Sequence, residues 1–274
     1  MSILRVIILD VGWGDSILIE SEDDQGNQYF AVVDSNDTSS NRFTLNFLKR
    51  RLQTRGIDYR SQKHFLDFVL LTHGHADHGQ GLKAVMQEFG TRQFWYSKSS
   101  NWGSMGNLLS YARRSSNVDH HQAIDDSREL PDFGDVKLDV LWPIDGNDSE
   151  PDENNNSVVM TLTLGNASFL LCGDAEKEVW QHIASQIPAN TSFFKVPHHG
   201  SVNGSFDGTN PAWLNQCPGQ ALLGISCHVG RFGHPHQQVI DLFNNQSRIY
   251  RRTDQHYHLV FETDGQTTTE FYHH

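Results

Sequence analysis

The stretch LLTHGHADHGQGL at residues 70–82 places three histidines and one aspartate within six positions: His73, His75, Asp77 and His78. Glycine or alanine separates them, and the apolar run FLDFVLL precedes them. The apolar run predicts a buried strand and the following residues predict a helix, so the cluster lies in a strand-to-helix loop. Imidazole and carboxylate groups are ligands for zinc and similar ions. The pattern therefore predicts a site for one or two metal ions, and a solvated histidine-rich loop is the alternative.

The composition indicates a single globular unit. The chain has 274 residues, of which 37% are hydrophobic and 20% are charged, as in ordinary folded proteins. We predict one domain over residues 1–274, with a polar insertion at about 98–136 where turn-forming residues dominate. The net charge of −12 argues against a protein whose whole surface is basic and which binds polyanions nonspecifically.

Signals for membrane insertion and for disulfide bonds are lacking in the sequence. No apolar stretch approaches the roughly 18 residues of a membrane span, and Asp10 interrupts the first apolar run too early for a secretory signal. The three cysteines, Cys172, Cys217 and Cys227, are an odd number without a framework spacing, which predicts free buried thiols. We therefore expect a cytoplasmic protein.

Strands and helices follow one another along the chain, and polar clusters lie at the strand ends. Runs such as ILRVIILDVG, DSILIES and QYFAVVD predict a strand-rich start. Residues 42–55 predict an amphipathic helix with Phe43, Phe47, Leu48 and Leu52 on its apolar face. Later runs such as ASFLLCGD, SFFKVPHHGS and ALLGISC are strands that end in polar residues. This order predicts an α/β fold whose polar groups gather where the strands end.

Several motifs together resemble a known family. The order His-x-His-x-Asp-His after an apolar strand resembles the signature loop of the metallo-β-lactamase fold. Four further motifs narrow the resemblance to the hydrolase domain of ComEC-type DNA-uptake proteins and their stand-alone relatives: LDVGWGDSILIE at 9–20, LLCGD at 170–174, KVPHHGS at 195–201 and FGHPH at 232–236. The resemblance extends from about Ile3 to Gly265. Trp13 departs from it, because that family usually has glutamine between the two glycines of the first motif.

The resemblance implies a four-layer αβ/βα sandwich, in which two mixed sheets face each other and helices cover their outer faces. It also implies two divalent metal ions at one edge of the sheets. Carried over by position, His73 and His75 would bind the first ion, Asp77 and His78 the second, and Asp174 both. The residues themselves agree at Asp174, because an ionised carboxylate behind an apolar strand is costly to bury unless a cation pairs with it. Capping of the following helix is the alternative role for Asp174.

The last metal ligand has several candidates. His198 and His199 follow one predicted strand, and His234 and His236 lie in a later loop. In phosphodiesterases that the chain resembles, one such histidine is a ligand and another lies over the leaving group as an acid. We expect His198 as the metal ligand and His234 near the substrate, with His199 as a catalytic partner or a support.

Supporting residues are predicted around these ligands. Asp34 matches the family's first acidic position, and we expect it to orient the histidine loop, since carboxylates that bond to ligating histidines fix their tautomer. A turn residue is the alternative there, and Asp15 either lies beside the site or shapes its hairpin. The family's third-histidine position falls near ENNNS, which has no histidine. We expect Asn155, Asn156 and Ser157 to bind a phosphate oxygen or a metal-bound water, with a solvated loop as the alternative.

These residues predict a metal-dependent hydrolase. Two ions in one site lower the pKa of a bridging water, which then attacks an electrophilic centre. Asp77 and Asp174 would hold or accept its proton, and a histidine such as His199 or His234 would protonate the leaving oxygen. The mixed histidine and carboxylate ligands suit zinc, manganese or iron, and we favour zinc.

The resemblance implies that the substrate is a phosphodiester, so we expect a phosphodiesterase or a nuclease with DNA as a candidate partner. Three groups of basic residues support this modestly, although solvated faces are the alternative for them: Lys49, Arg50, Arg51 and Arg55; Arg113 and Arg114; Arg248, Arg251 and Arg252. The second hypothesis is the same fold acting on a lactone, a thioester or a phosphocholine ester. The third is a noncatalytic binding or regulatory module, which normally loses ligand residues that this chain retains.

Overall fold

Two large sheets form the centre of the molecule. The computed structural model describes residues 1–103, 105–146 and 149–273. The first sheet has eight strands in the order β16-β15-β1-β2-β3-β4-β5-β6: β1 Ile3–Ile8, β2 Ile17–Glu22, β3 Gln28–Val33, β4 Leu66–Leu71, β5 Thr91–Ser97, β6 Val118–Ile124, β15 His258–Thr263 and β16 Thr268–His273. The second has six in the order β14-β13-β10-β9-β8-β7: β7 Lys137–Trp142, β8 Val159–Leu164, β9 Ala167–Leu171, β10 Thr191–Lys195, β13 Leu222–Ile225 and β14 Tyr250–Arg252.

Helices and one short ribbon connect these strands. The helices of the described residues are α1 Phe43–Thr54, α2 Ala76–Gly79, α3 Leu82–Phe89, α4 Gly106–Arg114, α5 Lys177–Ile183, α6 Val202–Ser205, α7 Val229–Phe232, α8 Gln237–Asn245 and α9 Thr253–His256. The ribbon consists of β11 Phe206–Asp207 and β12 Asn210–Pro211. No helix among the described residues is long and apolar enough to cross a membrane.

Both sheets change from antiparallel to parallel pairing. In the first sheet, β15, β1, β2 and β3 pair antiparallel, whereas β3, β4, β5 and β6 pair parallel. In the second, β7, β8 and β9 pair antiparallel, and β9, β10, β13 and β14 pair parallel. Parallel strands end at the same edge of a sheet, so the residues after β9, β10 and β13 are brought together there, as are those after β3 and β4.

Three apolar clusters separate four layers. Between the sheets, side chains of β1 such as Ile8 pack with side chains of the second sheet such as Phe169 and Phe193. On the outside of the first sheet, a second cluster includes Leu48 of α1 and Val85 of α3. A third cluster, outside the second sheet, includes side chains of α5 and α8. Two mixed sheets with helices outside confirm the predicted fold class.

Two details differ from the sequence-based expectation. Helix α1 turns Leu45 inward with Leu48 and Leu52, whereas Phe43, predicted to be on the apolar face, is 47% exposed at the first turn. The range 98–136, predicted as an insertion, contains α4 and the strand β6, which pairs with β5 as part of the first sheet. Strand β6 looks polar in sequence because it is an edge strand whose central residues are exposed. Ser104 within that range lies outside the described residues.

The three cysteines are free and buried, as predicted.

We expect the ionisation of Asp125, which follows β6, to make the free energy of unfolding depend on pH in the acidic range. Burial of its carboxyl opposes ionisation, but the Lys98 ammonium at 2.6 Å and the Ser127 hydroxyl at 2.6 Å hold the pKa of Asp125 below its usual value. A carboxyl with a lowered folded-state pKa stabilises the fold above its unfolded pKa of about 3.9. That contribution is lost as the pH falls through the folded pKa.

Asp125→Asn should therefore lower the free energy of unfolding at pH 7 and flatten its fall between about pH 5 and pH 2. Urea unfolding midpoints across this range measure the effect, with the exposed Asp132→Asn as the control variant. If wild type and Asp125→Asn show parallel pH profiles, the ion pair makes no such contribution.

Candidate metal centre

The residues of the signature loop meet the ends of the second sheet at one edge of the sandwich. His73 and His78 follow β4, Asp174 follows β9, and His199 follows β10. All four side chains are buried or nearly so. The parallel pairing of β9 with β10 brings Asp174 and His199 to the same edge, and packing of the two sheets brings the loop after β4 against them.

His78 is fixed by Asp34. The Nδ1 atom of His78 donates a hydrogen bond to Asp34 Oδ2 at 2.7 Å, and Thr72 donates to the same carboxylate through its backbone nitrogen and its hydroxyl. With Nδ1 held in this way, Nε2 of His78 points to Asp174 Oδ2 at 3.3 Å. Asp34 therefore orients a candidate ligand, which is the role that the sequence predicts for it.

The same contacts shift the pKa values of this pair. Burial raises the pKa of Asp34, which His78 and Thr72 only partly offset. Burial alone would lower the pKa of His78, but Asp174 and Asp34 raise it well above its usual value. The two carboxylates on either side of His78 thus favour positive charge at this position.

His73 is held as a neutral imidazole. Its Nδ1 lies 3.1 Å from Thr72 Oγ1 and 3.3 Å from Ser157 Oγ, and its Nε2 lies 3.0 Å from Nδ1 of His75. Burial, together with the nearby His78, lowers the pKa of His73 well below its usual value. A neutral imidazole is the form that binds metal ions.

Three histidine side chains lie close to the carboxylate of Asp174. Its Oδ2 lies 3.3 Å from His78 Nε2, 3.4 Å from His199 Nε2 and 3.9 Å from His198 Nε2. Burial opposes ionisation, but these histidines hold the pKa of Asp174 well below its usual range. The backbone nitrogen of Asp174 donates a hydrogen bond to Ser157 Oγ at 3.0 Å, which holds the loop that carries this carboxylate.

The two histidines after β10 are anchored differently. Nδ1 of His199 donates to the carbonyl of Ser226 at 2.9 Å, whereas Nδ1 of His198 lies 2.7 Å from Glu176 Oε1 as an ion pair. Both residues have positive φ, 46° for His198 and 55° for His199. Two consecutive non-glycine residues in this conformation are strained, and such strain often occurs at functional sites.

Small residues allow the loops to approach each other. A side chain at Gly74 would collide with the backbone carbonyl of Asn101. Gly173 has a φ of +48°, and a Cβ there would press on Ser157 and Thr72 at about 3 Å. The glycine that separates His73 from His75 is therefore required by the packing of the neighbouring loop.

The donor set fits a divalent cation. The buried Nε2 atoms of His78 and His199 have no hydrogen bond of regular geometry within the described residues, although both point to Asp174. Buried polar atoms without partners are rare, and a bound ion is one explanation for them. In the described part of the chain, four groups have ligand atoms within 4.8 Å of one another: His73, His78 and Asp174; Asp77, His78 and His199; Asp15, Asp34 and His78; Asp15, Asp174 and His199.

Most of the predicted residues meet at this centre, but two of the predicted metal ligands lie at its border. His75 and His198 are in none of the four groups, and both are more exposed than His73 and His199. His199, predicted as a catalytic partner, belongs to two of the groups. His234 lies outside as well, with its ring 5.5 Å from the ring of His198. Burial and the neighbouring histidines lower the pKa of His234 to about 4.

The segment ENNNS mainly holds the loops around the centre, and only part of it contacts the candidate ligands. Of its three predicted residues, Ser157 alone contacts the site, through His73 and Asp174. Asn155 accepts the backbone nitrogen of Glu176 through its side chain, and Asn156 bonds to Glu150 and Glu153. These two amides are engaged in holding loops, so a contact of theirs with a phosphate oxygen has no support in this geometry.

Lys195 is a further residue of the centre that the sequence analysis did not select. Its side chain is 0% exposed, and its Nζ pairs with Asp15 Oδ2, bonds to the carbonyl of Gly173 at 2.9 Å and lies 3.9 Å from Asp174 Oδ1. Burial would lower the pKa of Lys195, but Asp15 and Asp174 raise it above its usual value, so the ammonium stays charged. Its signal in the sequence is a lysine at the end of the apolar run SFFK.

Removing Lys195 alone should destabilise the fold, because it leaves Asp15 as a buried charge. For Lys195→Met we expect a loss of about 3–5 kcal/mol in the free energy of unfolding. The double variant Asp15→Asn/Lys195→Met removes both charges and should recover most of that loss. Urea unfolding in the presence of a chelator measures both, with the exposed Lys137→Met as the control. A double variant as unstable as the single one would contradict the pairing.

Comparison with known proteins agrees with this geometry. The family model described as "Metallo-beta-lactamase superfamily" matches residues 66–207, just over half of the chain. ComE operon protein 3 of Bacillus subtilis (strain 168) is 26% identical over 269 residues, which are 92% of this chain and 32% of that protein. The uncharacterized protein YcaI of Escherichia coli (strain K12) is 27% identical over 139 residues, which are 50% of this chain and 16% of that one. The chain thus spans about a third or less of these two relatives.

Two solved structures are similar to this chain at low sequence identity. The long form of RNase Z from yeast has a TM-score of 0.45 at 11% identity and covers 90% of this chain and 37% of its own. The short form of human tRNase Z has a TM-score of 0.44 at 9% identity and covers 81% of this chain and 92% of its own. The family model covers the signature loop, Asp174 and both histidines after β10. On this match the chain belongs to the metallo-β-lactamase superfamily, as a metal-dependent hydrolase.

Proposed function

We propose that this chain is a phosphodiesterase, and specifically a nuclease, that uses a water activated between two divalent metal ions. The observation that carries the proposal is that the carboxylate of Asp174 belongs to two groups of closely spaced candidate ligands, one with His73 and His78 and one with Asp15 and His199. One shared carboxylate between two sets of imidazoles suits a pair of adjacent ions. The similarity to ComE operon protein 3 over nearly the whole chain, and the resemblance of its motifs to DNA-uptake hydrolases, support a phosphodiester as the substrate.

The residues divide into two ligand sets. His73 and His75 are our candidates for the first ion, and Asp77, His78 and His199 for the second, with Asp174 shared. We assign the last ligand position to His199 instead of His198, because His199 Nε2 belongs to a compact group with Asp77 and His78. His73 lacks a third imidazole partner, since Ser157 is the residue beside it. We therefore expect the second ion to bind more tightly than the first.

Divalent ions bound there would lower the pKa of a water and polarise the phosphoryl oxygen. Asp77 is half-buried with Oδ2 4.0 Å from His78 Nε2, and we propose that its carboxylate holds the proton of the nucleophile. His198 is oriented by Glu176 and is 20% exposed at the open side, next to His234. These two imidazoles are placed to donate a hydrogen bond to the leaving oxygen. Zinc, manganese and iron all suit the mixed ligands, and zinc is our first choice.

The test combines metal content with turnover. The protein loaded with Mn²⁺ or Zn²⁺ should hydrolyse bis-p-nitrophenyl phosphate and DNA. His199→Ala should lose the second ion and with it the activity. His198→Ala should retain both ions while kcat falls about 100-fold, the usual scale for a lost proton donor.

His120→Ala is the matched control, because His120 is 69% exposed on β6, and it should change neither quantity. If His198→Ala loses an ion and His199→Ala keeps both, the assignment of the two histidines is reversed. If the loaded wild-type protein cleaves no phosphodiester, the proposed function is wrong, and a panel of lactones, thioesters and phosphocholine esters tests the alternative substrates. A protein that takes up no metal would favour the noncatalytic module.

The cytoplasmic location and the single domain over residues 1–274 stay predictions from the sequence.

A further inference from the structure

Two aromatic side chains form a rim beside the candidate metal centre. Trp13 lies in the glycine-flanked turn after β1, and Phe232 ends α7. Their rings meet edge to face, with centroids 6.0 Å apart and planes at 70°. Phe232 is 56% exposed and Trp13 is half-buried, so ring surface of both faces solvent. An exposed pair of large aromatic rings costs solvation free energy that a ligand would recover.

The rim borders the reacting groups. The ring of Phe232 lies 6.1 Å from the ring of His234, which lies 5.5 Å from that of His198. The turn that carries Trp13 is anchored to the centre, because the carbonyl of Gly14 accepts a hydrogen bond from Ser226 Oγ at 2.8 Å and Ser226 also holds His199. A substrate group that lies on the rim is therefore next to His234, whose ring neighbours that of His198.

The charge distribution of the protein limits how a nucleic acid can bind. The net charge is −12, and five of the basic residues predicted as candidate contacts form ion pairs within the protein. The ion pairs are Lys49 with Glu88, Arg51 and Arg55 with the single carboxylate of Glu20, Arg251 with Glu270, and Arg252 with Asp254. Arg248 is buried and bonds to backbone carbonyls. Binding by release of counterions from many phosphates is thus weak, and affinity must come from uncharged contacts.

We propose that Trp13 and Phe232 form a subsite that stacks an unpaired nucleobase next to the scissile phosphodiester, so that the centre acts on single-stranded nucleic acid. This inference rests on the proposed phosphodiesterase function and names the form of its substrate. Aromatic side chains bind bases of any sequence by stacking on their faces. In a duplex both faces of each base are covered by its neighbours, so the subsite selects unstacked bases. The rim and the acidic surface lead independently to this substrate.

Matched substrates test the subsite. A thymidine oligonucleotide and an abasic oligonucleotide of the same length have the same phosphodiesters and the same charge, and differ in the bases alone. The metal-loaded wild type should prefer the thymidine strand in kcat/KM by about tenfold, within the range that stacking of one base provides. Trp13→Gln and Phe232→Ala should each lower this ratio toward one. Ile249→Ala is the control, because Ile249 is an equally exposed apolar residue, 47%, beside the opposite end of β13.

Binding without turnover gives a second measurement. Fluorescence anisotropy of a labelled thymidine oligonucleotide with the metal-free protein should show a Kd that rises about tenfold in Trp13→Gln and in Phe232→Ala. The Kd of the wild type should also depend only weakly on the salt concentration, because the protein neutralises few phosphates.

Two results would overturn the subsite: a substrate ratio that stays unchanged in both variants, including after an equal loss on both substrates, or a preference of the wild type for duplex DNA. A wild type that cleaves neither oligonucleotide nor any simple phosphodiester refutes the proposed function itself, and is thereby distinguished from a failure of the subsite alone.

Discussion

A single buried carboxylate sets the requirements of the rest of the centre. Asp174 has lost nearly all contact with water, and an ionised group in that position must be compensated by positive charge or by hydrogen-bond donors. Lys195 stands on its Oδ1 side, and three imidazoles surround Oδ2. The protein thereby presents one oxygen of Asp174 to the imidazoles and keeps the other for an internal cation. The neighbouring side chains hold the ammonium and the imidazoles in these positions.

The supports form a chain of contacts that runs through both sheets. Asp34 holds His78 from the first sheet, and Ser157 holds the backbone of Asp174 from the second while touching His73. Glu153, which precedes β8 of the second sheet, contacts two loops of the first sheet. Its carboxylate accepts hydrogen bonds from the backbone nitrogens of Gly74 and Asn101. His73, His78, Asp174 and His199 are therefore each fixed by at least one partner on a different loop, which supports their geometry.

Much of the fold and of the centre could be predicted from the sequence, because residues of the site lie directly after apolar strands. The strand before His73 followed from a local pattern, whereas the resemblance to the family implied the orienting role of Asp34 and the importance of the carboxylate at Asp174. What could not be predicted depends on contacts between distant segments. Lys195 looks like the polar end of a strand until Asp15 is placed beside it.

Contacts between loops also separate side chains that look equivalent in the sequence. His198 and His199 are adjacent in sequence, and only the contacts with Glu176 and Ser226 separate their directions. The amides of Asn155 and Asn156 resemble ligands in a polar loop, yet their partners are the backbone and carboxylates of neighbouring turns. The inward face of α1 differs at Phe43, which is exposed although the next two residues, Thr44 and Leu45, are buried.

The placement of the candidate ligands on both sheets also affects how the molecule comes apart. His73 and His78 belong to the first half of the chain, and Asp174 and His199 to the second. Ions that bind these residues would cross-link segments far apart in sequence and would oppose the opening of the sandwich along this edge. The edge that carries the candidate metal centre would then also hold the two halves of the chain together.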